Sequence, residues 1–148
     1  MIETIHSILR EKGSQVWSLP PHATVYEAIA EMADKRIGAL AVVAEGQKVV
    51  GVISERDYAR KVFLKGKSSK ETLVREIMSS PVITATPDYT VDDCMRIMTE
   101  YHIRHLPVVE GERLVGMISI GDVVKAIITA QGETITQLSN YIGGKYPA

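Results

Sequence analysis

The chain has a single cysteine, no dominant charge, and no apolar run near the roughly 20 residues that span a bilayer. Each absence sets a limit. Cys94 alone allows neither an intramolecular disulfide framework nor a cysteine metal site, which fits a reducing compartment. Lys+Arg number 17 against 18 Asp+Glu, for a net charge of −1, so no polybasic footprint for nucleic acid or anionic membrane is expected. The N-terminal MIETIHSILREKG alternates charged and apolar residues and lacks a signal-peptide core. What is present is ordinary for a globular protein: 148 residues, 45% hydrophobic and 24% charged, enough to bury a real core. A soluble cytoplasmic protein is the expectation.

The chain repeats itself. Residues 24–43 (TVYEAIAEMADKRIGALAVV) align with 90–109 (TVDDCMRIMTEYHIRHLPVV), and Thr24, Val25, Met32, Ile37, Leu40, Val42 and Val43 meet identical residues. After the loss of one residue, VVGVISERD (49–57) lies on LVGMISIGD (114–122). In each copy a threonine N-cap precedes apolar residues at helical spacing: Val25, Ala28, Ile29 and Met32, then Val91, Cys94, Met95 and Met98. Short β-branched runs follow at 39–43 and 49–53, and at 106–109 and 114–118, each pair leading into a helix. A further strand is expected before each unit, at 15–19 and 81–85. The order is β-α-β-β-α, twice: a mixed α/β fold of two units packed as a pseudo-symmetric pair, since neither is large enough alone. Two stripes lie outside the repeats. Ile2, Ile5, Ile8 and Leu9 end at Gly13, and Ile135, Leu138, Tyr141 and Ile142 end at Gly143-Gly144. The expected organisation is an N-terminal helix over 1–14, a first repeat over 15–66, a linker helix over 67–79, a second repeat over 80–130, and a C-terminal helix and tail over 131–148.

The chemistry concentrates in Gly51-Val52-Ile53-Ser54-Glu55-Arg56-Asp57 and its echo Gly116-Met117-Ile118-Ser119-Ile120-Gly121-Asp122. Both place a hydroxyl and a carboxylate three residues apart where a strand gives way to a helix. Such a pair is first of all a capping box. Its repetition at the carboxyl ends of equivalent strands, where α/β folds put ligand crevices, adds a second role. A carboxylate there can accept from both hydroxyls of a ribose, and the free N–H groups of the helix start favour phosphate or hydroxyl oxygens.

The doubled unit, with RIGALAVV and HIRHLPVV each followed by Gly-h-h-Ser-x-x-Asp, resembles a tandem pair of CBS domains over residues 15–130. The resemblance implies a Bateman module of stand-alone type, with two clefts between the repeats. It also implies a non-catalytic regulatory role, adenosine nucleotides (AMP, ADP, ATP or NAD) as ligands, a homodimer, and an unidentified protein target. In the first cleft it implies Ser54 and Asp57 on the ribose, Arg56 near the phosphates, and Met78, Val82, Ile83, Ile103 and Arg104 around the base. In the second it implies Ser119 and Asp122 on the ribose, Val16, Trp17, Ile37, Gly38 and Ala39 around the base, and His105 near a phosphate. The second offers Gly121 where the first has Arg56, so the first is expected to be the stronger anion site. The alternative is an interaction module with empty clefts.

Other constellations carry less. His102 and His105 straddle a helix end with no acidic or thiol partner at metal spacing. Gly-x-Ser-x-Gly is absent, and the chain is too short for a catalytic barrel. Cys94 stands where the first repeat has Ala28 and is expected to be a core thiol. The helix face of Val25, Ile29 and Met32 is expected to exceed what one sheet covers, a second argument for a dimer.

Overall fold

Thr24 and Thr90 open equivalent helices by the same means. Each has extended backbone, and its hydroxyl accepts the N–H three residues on, from Glu27 and Asp93. Donors that a helix start would leave without partners are thereby satisfied. The computed structural model describes residues 3–13 and 15–141, with the backbone alone for 131–141. The elements are α1 (Ile5–Lys12), β1 (Ser18–Leu19), α2 (Val25–Lys35), β2 (Ala39–Val43), β3 (Val49–Ser54) and α3 (Glu55–Tyr58), which a π-helical turn continues over Ala59–Phe63. They continue with α4 (Val74–Ile77), α5 (Val91–Tyr101), β4 (His105–Glu110), β5 (Arg113–Ser119) and α6 (Ile120–Tyr141).

The repetition holds down to local irregularities. Strands β2 and β3 pair antiparallel with Ala39 opposite Ser54; β4 and β5 do so with His105 opposite Ser119. Val42 faces Gly51, Val108 faces Gly116, and each hairpin bulges immediately afterwards. Both α2 and α5 end in a non-glycine residue in the left-handed region, Arg36 at φ 57° and His102 at φ 55°.

The leading strands are shorter than expected. Only Ser18–Leu19 of 15–19 pairs, parallel to β2, and of 81–85 only Ala85 bridges Val108. Pro107 in β4 can accept from Ala85 but has no N–H to return, which limits that ladder to a single bridge. In the 67–79 segment helix is confined to α4. The helix of the second repeat runs without a break into the C-terminal segment as α6. The side chains of Ile135, Leu138 and Tyr141, and the stop at Gly143-Gly144, lie outside the described residues.

Two cores form, and they exchange elements. Val25, Met32, Leu40 and Ile53 of the first repeat enclose Val74 and Ile77 of α4; Val91, Met98, Leu106 and Ile118 of the second enclose Ile5 and Ile8 of α1. The segment preceding each repeat thus completes the other repeat's core. Isolated bridges fix the exchange, Thr4 to Thr90 and Thr24 to Leu73. Glycine permits the crossing: a Cβ on Gly116 would lie 2.6 Å from Leu9 Cδ2, and one on Gly51 would lie 2.7 Å from Met78 Sδ. The face of Val25, Ile29 and Met32 is covered within this arrangement, so it does not supply the association surface expected of it. Among the described residues, the large apolar side chains left exposed are those of Tyr26, Phe63, Leu64, Tyr101, Val124 and Ile128. Cys94 is buried, and burial together with the Asp93 charge pushes its thiol up to about 11.

Candidate functional site

Strands β3 and β5 each end in the serine of a capping box. Ser54 N–H donates to Asp57 Oδ2 at 2.9 Å, and Asp57 N–H donates back to Ser54 Oγ at 3.1 Å. Ser119 and Asp122 make the same pair at 2.9 and 3.2 Å. The first N–H of each helix is also taken within its own repeat, from Glu55 to Gly38 O and from Ile120 to Arg104 O. Most of the helix-start donors expected to greet an anion are therefore already used, and charged side chains must do that work.

Each box faces a cleft whose far wall comes from the other repeat. The first cleft, of about 250 Å³, sets Ser54, Arg56 and Asp57 against Val82, Ile83, Ile103 and Arg104. The second, of about 510 Å³, sets Ser119 and Asp122 against Val16, Trp17, Ile37, Gly38 and Ala39, with His105 beside them. Small-molecule sites usually hold about 300–1,000 Å³, so the second has room for a mononucleotide as it stands. Met78 is the exception among the expected wall residues: it packs on the first core and over Gly51, away from the cleft. Glu55, Pro81 and His102 join the first cleft, and Lys12 and Arg36 the second, none of which the sequence reading placed there. The left-handed caps Arg36 and His102 lie at equivalent positions of the two repeats, and that equivalence was the available signal for them.

The charges of the two clefts are unequal. The first cleft balances Arg56 and Arg104 with Glu55 and Asp57; the second sets Lys12 and Arg36 against Asp122 alone. The cation missing at Gly121 is supplied by α1. Lys12 Nζ donates to Asp122 Oδ2 and to Met117 O, both at 2.7 Å. Burial raises the Asp122 carboxyl, but Lys12 and the Ser119 N–H outweigh it and hold the group below its ordinary value, hence ionised. The clefts also share a wall. Gly38 and His105 line both, and a Cβ on Gly38 would sit 3.5 Å from the imidazole Nε2. Burial, then the Lys12 charge, lowers the His105 pKa against the opposing pull of Asp122, which leaves the ring neutral near pH 7. Among the described residues no cluster of three His, Cys, Asp or Glu could hold a metal ion, and no helix is long and apolar enough to cross a membrane.

The CBS-domain family model matches residues 6–63 and 74–129. A mitochondrial CBS domain-containing protein of Arabidopsis thaliana is 41% identical, over 97% of this chain and 73% of its own. A solved CBS-domain protein of Agrobacterium tumefaciens superposes with TM-score 0.79 at 36% identity, over 85% of this chain and 94% of that one. A CBS domain pair solved in complex with 5′-methylthioadenosine and S-adenosyl-L-methionine does so with TM-score 0.79 at 28% identity, over 88% and 99% of the two chains.

Proposed function

The chain belongs to the CBS-domain family as a tandem pair of repeats, and on that premise we propose that it is a non-catalytic regulatory module whose clefts hold adenosine nucleotides (AMP, ADP, ATP or NAD) and whose state is read by a partner protein. One observation carries the reading. In each cleft a capping box spends Oδ2 of its aspartate on the serine N–H and turns the carboxylate to a wall supplied by the other repeat. Oδ1 can accept from a ribose hydroxyl without disturbing the cap, in the first cleft beside the Lys61 ammonium 3.1 Å from it. Apolar walls, Val82 and Ile83 in one cleft and Val16 and Trp17 in the other, suit a purine face. The solved pair bound to two adenosine-containing ligands supports the same ligand class. A reducing cytoplasmic setting fits the buried free thiol of Cys94.

Calorimetry tests the site. A hydrogen bond to a charged acceptor contributes about 1.5–3 kcal/mol, so Asp57→Ala and Asp122→Ala should each weaken their own cleft for AMP by about ten- to a hundred-fold. Wild-type affinity in both variants removes the assignment. A mass spectrum of small molecules released from the purified protein would name the ligand.

A second reading, association through apolar surface, is favoured by Tyr26, Phe63, Leu64, Val124 and Ile128, of which Phe63 is 70% and Leu64 73% exposed. We assign this surface to a homodimer. Sedimentation at micromolar concentration should show a species of twice 16.3 kDa, and the monomer alone would refute it.

A further inference from the structure

One charged residue outside the repeats breaks the internal symmetry of the clefts. Leu9 lies over Gly116 as Met78 lies over Gly51. From Leu9 to the first wall residue, Val16, the chain spends residues 10–15; from Met78 to Val82 it spends only 79–81. Lys12 stands in the longer connection and has no counterpart in the first cleft. Its ammonium lies on the cleft wall, bonded to Asp122 Oδ2 and Met117 O. The carboxylate of the first cleft also has a lysine, Lys61, 3.1 Å from Asp57 Oδ1. That side chain rises from the same helical stretch, donates to Ile77 O, and does not line the cleft. Lys12 is also no wandering surface group, because Ile5 and Ile8 anchor its helix in the second core.

Resting on the nucleotide reading above, we propose that Lys12 makes the second cleft selective for phosphorylated ligands. A ribose on Asp122 Oδ1 shares the carboxylate charge with the lysine on Oδ2, and a ligand carrying its own anion gives the ammonium a second partner. With Arg36 in the same cleft, two cations face one carboxylate, and a nucleoside would leave that excess unanswered. Where the cleft carries no Lys12 equivalent, as in the first, a nucleoside loses less.

Trp17 is the only tryptophan of the chain and lines the second cleft, so its emission reports that site alone. The test titrates the full chain with AMP and with 5′-methylthioadenosine, which keeps base and ribose but has no phosphate. Wild-type protein should bind AMP at least about tenfold more tightly by Trp17 emission. In Lys12→Met the two affinities should come within about threefold of each other, AMP weakening and 5′-methylthioadenosine strengthening. Lys12→Arg should keep the wild-type ratio, and ligand-free melting of each variant confirms that it folds. An unchanged ratio in Lys12→Met overturns the inference while leaving the nucleotide reading intact. Ligands that raise the melting temperature without moving Trp17 emission would confine binding to the first cleft and overturn it too. If neither ligand moves either signal in any protein, the nucleotide reading itself falls and this one falls with it.

Discussion

His105 shows how much a single side chain inherits from its neighbours. Burial and Lys12 lower its pKa below the usual 6.5, so the unfolded chain takes up the proton first as the solution is acidified. The stability that comes from keeping the ring neutral is present above pH 6.5 and is lost as pH falls from there through the lowered folded value. Melting temperature should therefore fall between pH 7 and 5.5, and His105→Gln should make that slope shallower; an identical slope would remove His105 as its source. Asp122, held below 3.8, loses its contribution only at lower pH, outside that window. Cys94, with its thiol near 11 and its side chain buried, should react with iodoacetamide only as fast as the protein unfolds. Rapid labelling of native protein would contradict the burial. At this scale the sequence was informative where chemistry is local. Ser54 with Asp57, and Ser119 with Asp122, are read three residues apart, and both pairs form. Lys12 was illegible, because its partner lies 110 residues away and an exposed lysine at a helix end looks the same with or without one.

Elements carry a different kind of information. The threonine-capped helices and the two hairpins were legible because their spacing repeats, while the extent of the leading strands was not, because pairing depends on the neighbouring strand, in the second repeat on Pro107, rather than on their own β-branched residues. An apolar stripe such as Ile5 and Ile8 announces that a helix will be covered, but not by which repeat. The exchange makes two glycines critical, and unequally so. On Gly51 a new Cβ meets Met78 Sδ and also the Ser79 carbonyl at 3.0 Å, whereas on Gly116 it meets only the flexible end of Leu9. Gly51→Ala should cost about 1–3 kcal/mol, and Gly116→Ala less, measured by urea denaturation. The reverse order would mean that the α1 contact is the stiffer of the two. Removing Ile5 methylenes in Ile5→Ala should cost about 2–5 kcal/mol, since this fully buried side chain closes the second core.

For the whole molecule, clefts walled by both repeats allow a ligand to favour one relative orientation of the two, by no more than its differential affinity for the alternatives. Hydrogen exchange with AMP should change protection after Ser54 and Ser119 and also in α2 and α5, which line neither cleft; change confined to the clefts would leave a binder without an output. The fold class was legible from the repeat alone, but the order in which the molecule assembles was not. An eight-residue helix such as α1 is too short to persist in water by itself, and its partners, β5 and the strand-to-helix corner, lie over a hundred residues further along the chain. A helix synthesised before either repeat is then among the last to be placed, after the remainder of the second repeat exists to receive it. Kinetics makes this measurable: Ile5→Ala should leave the refolding rate nearly unchanged and put its whole effect into faster unfolding, the signature of contacts made after the barrier is crossed.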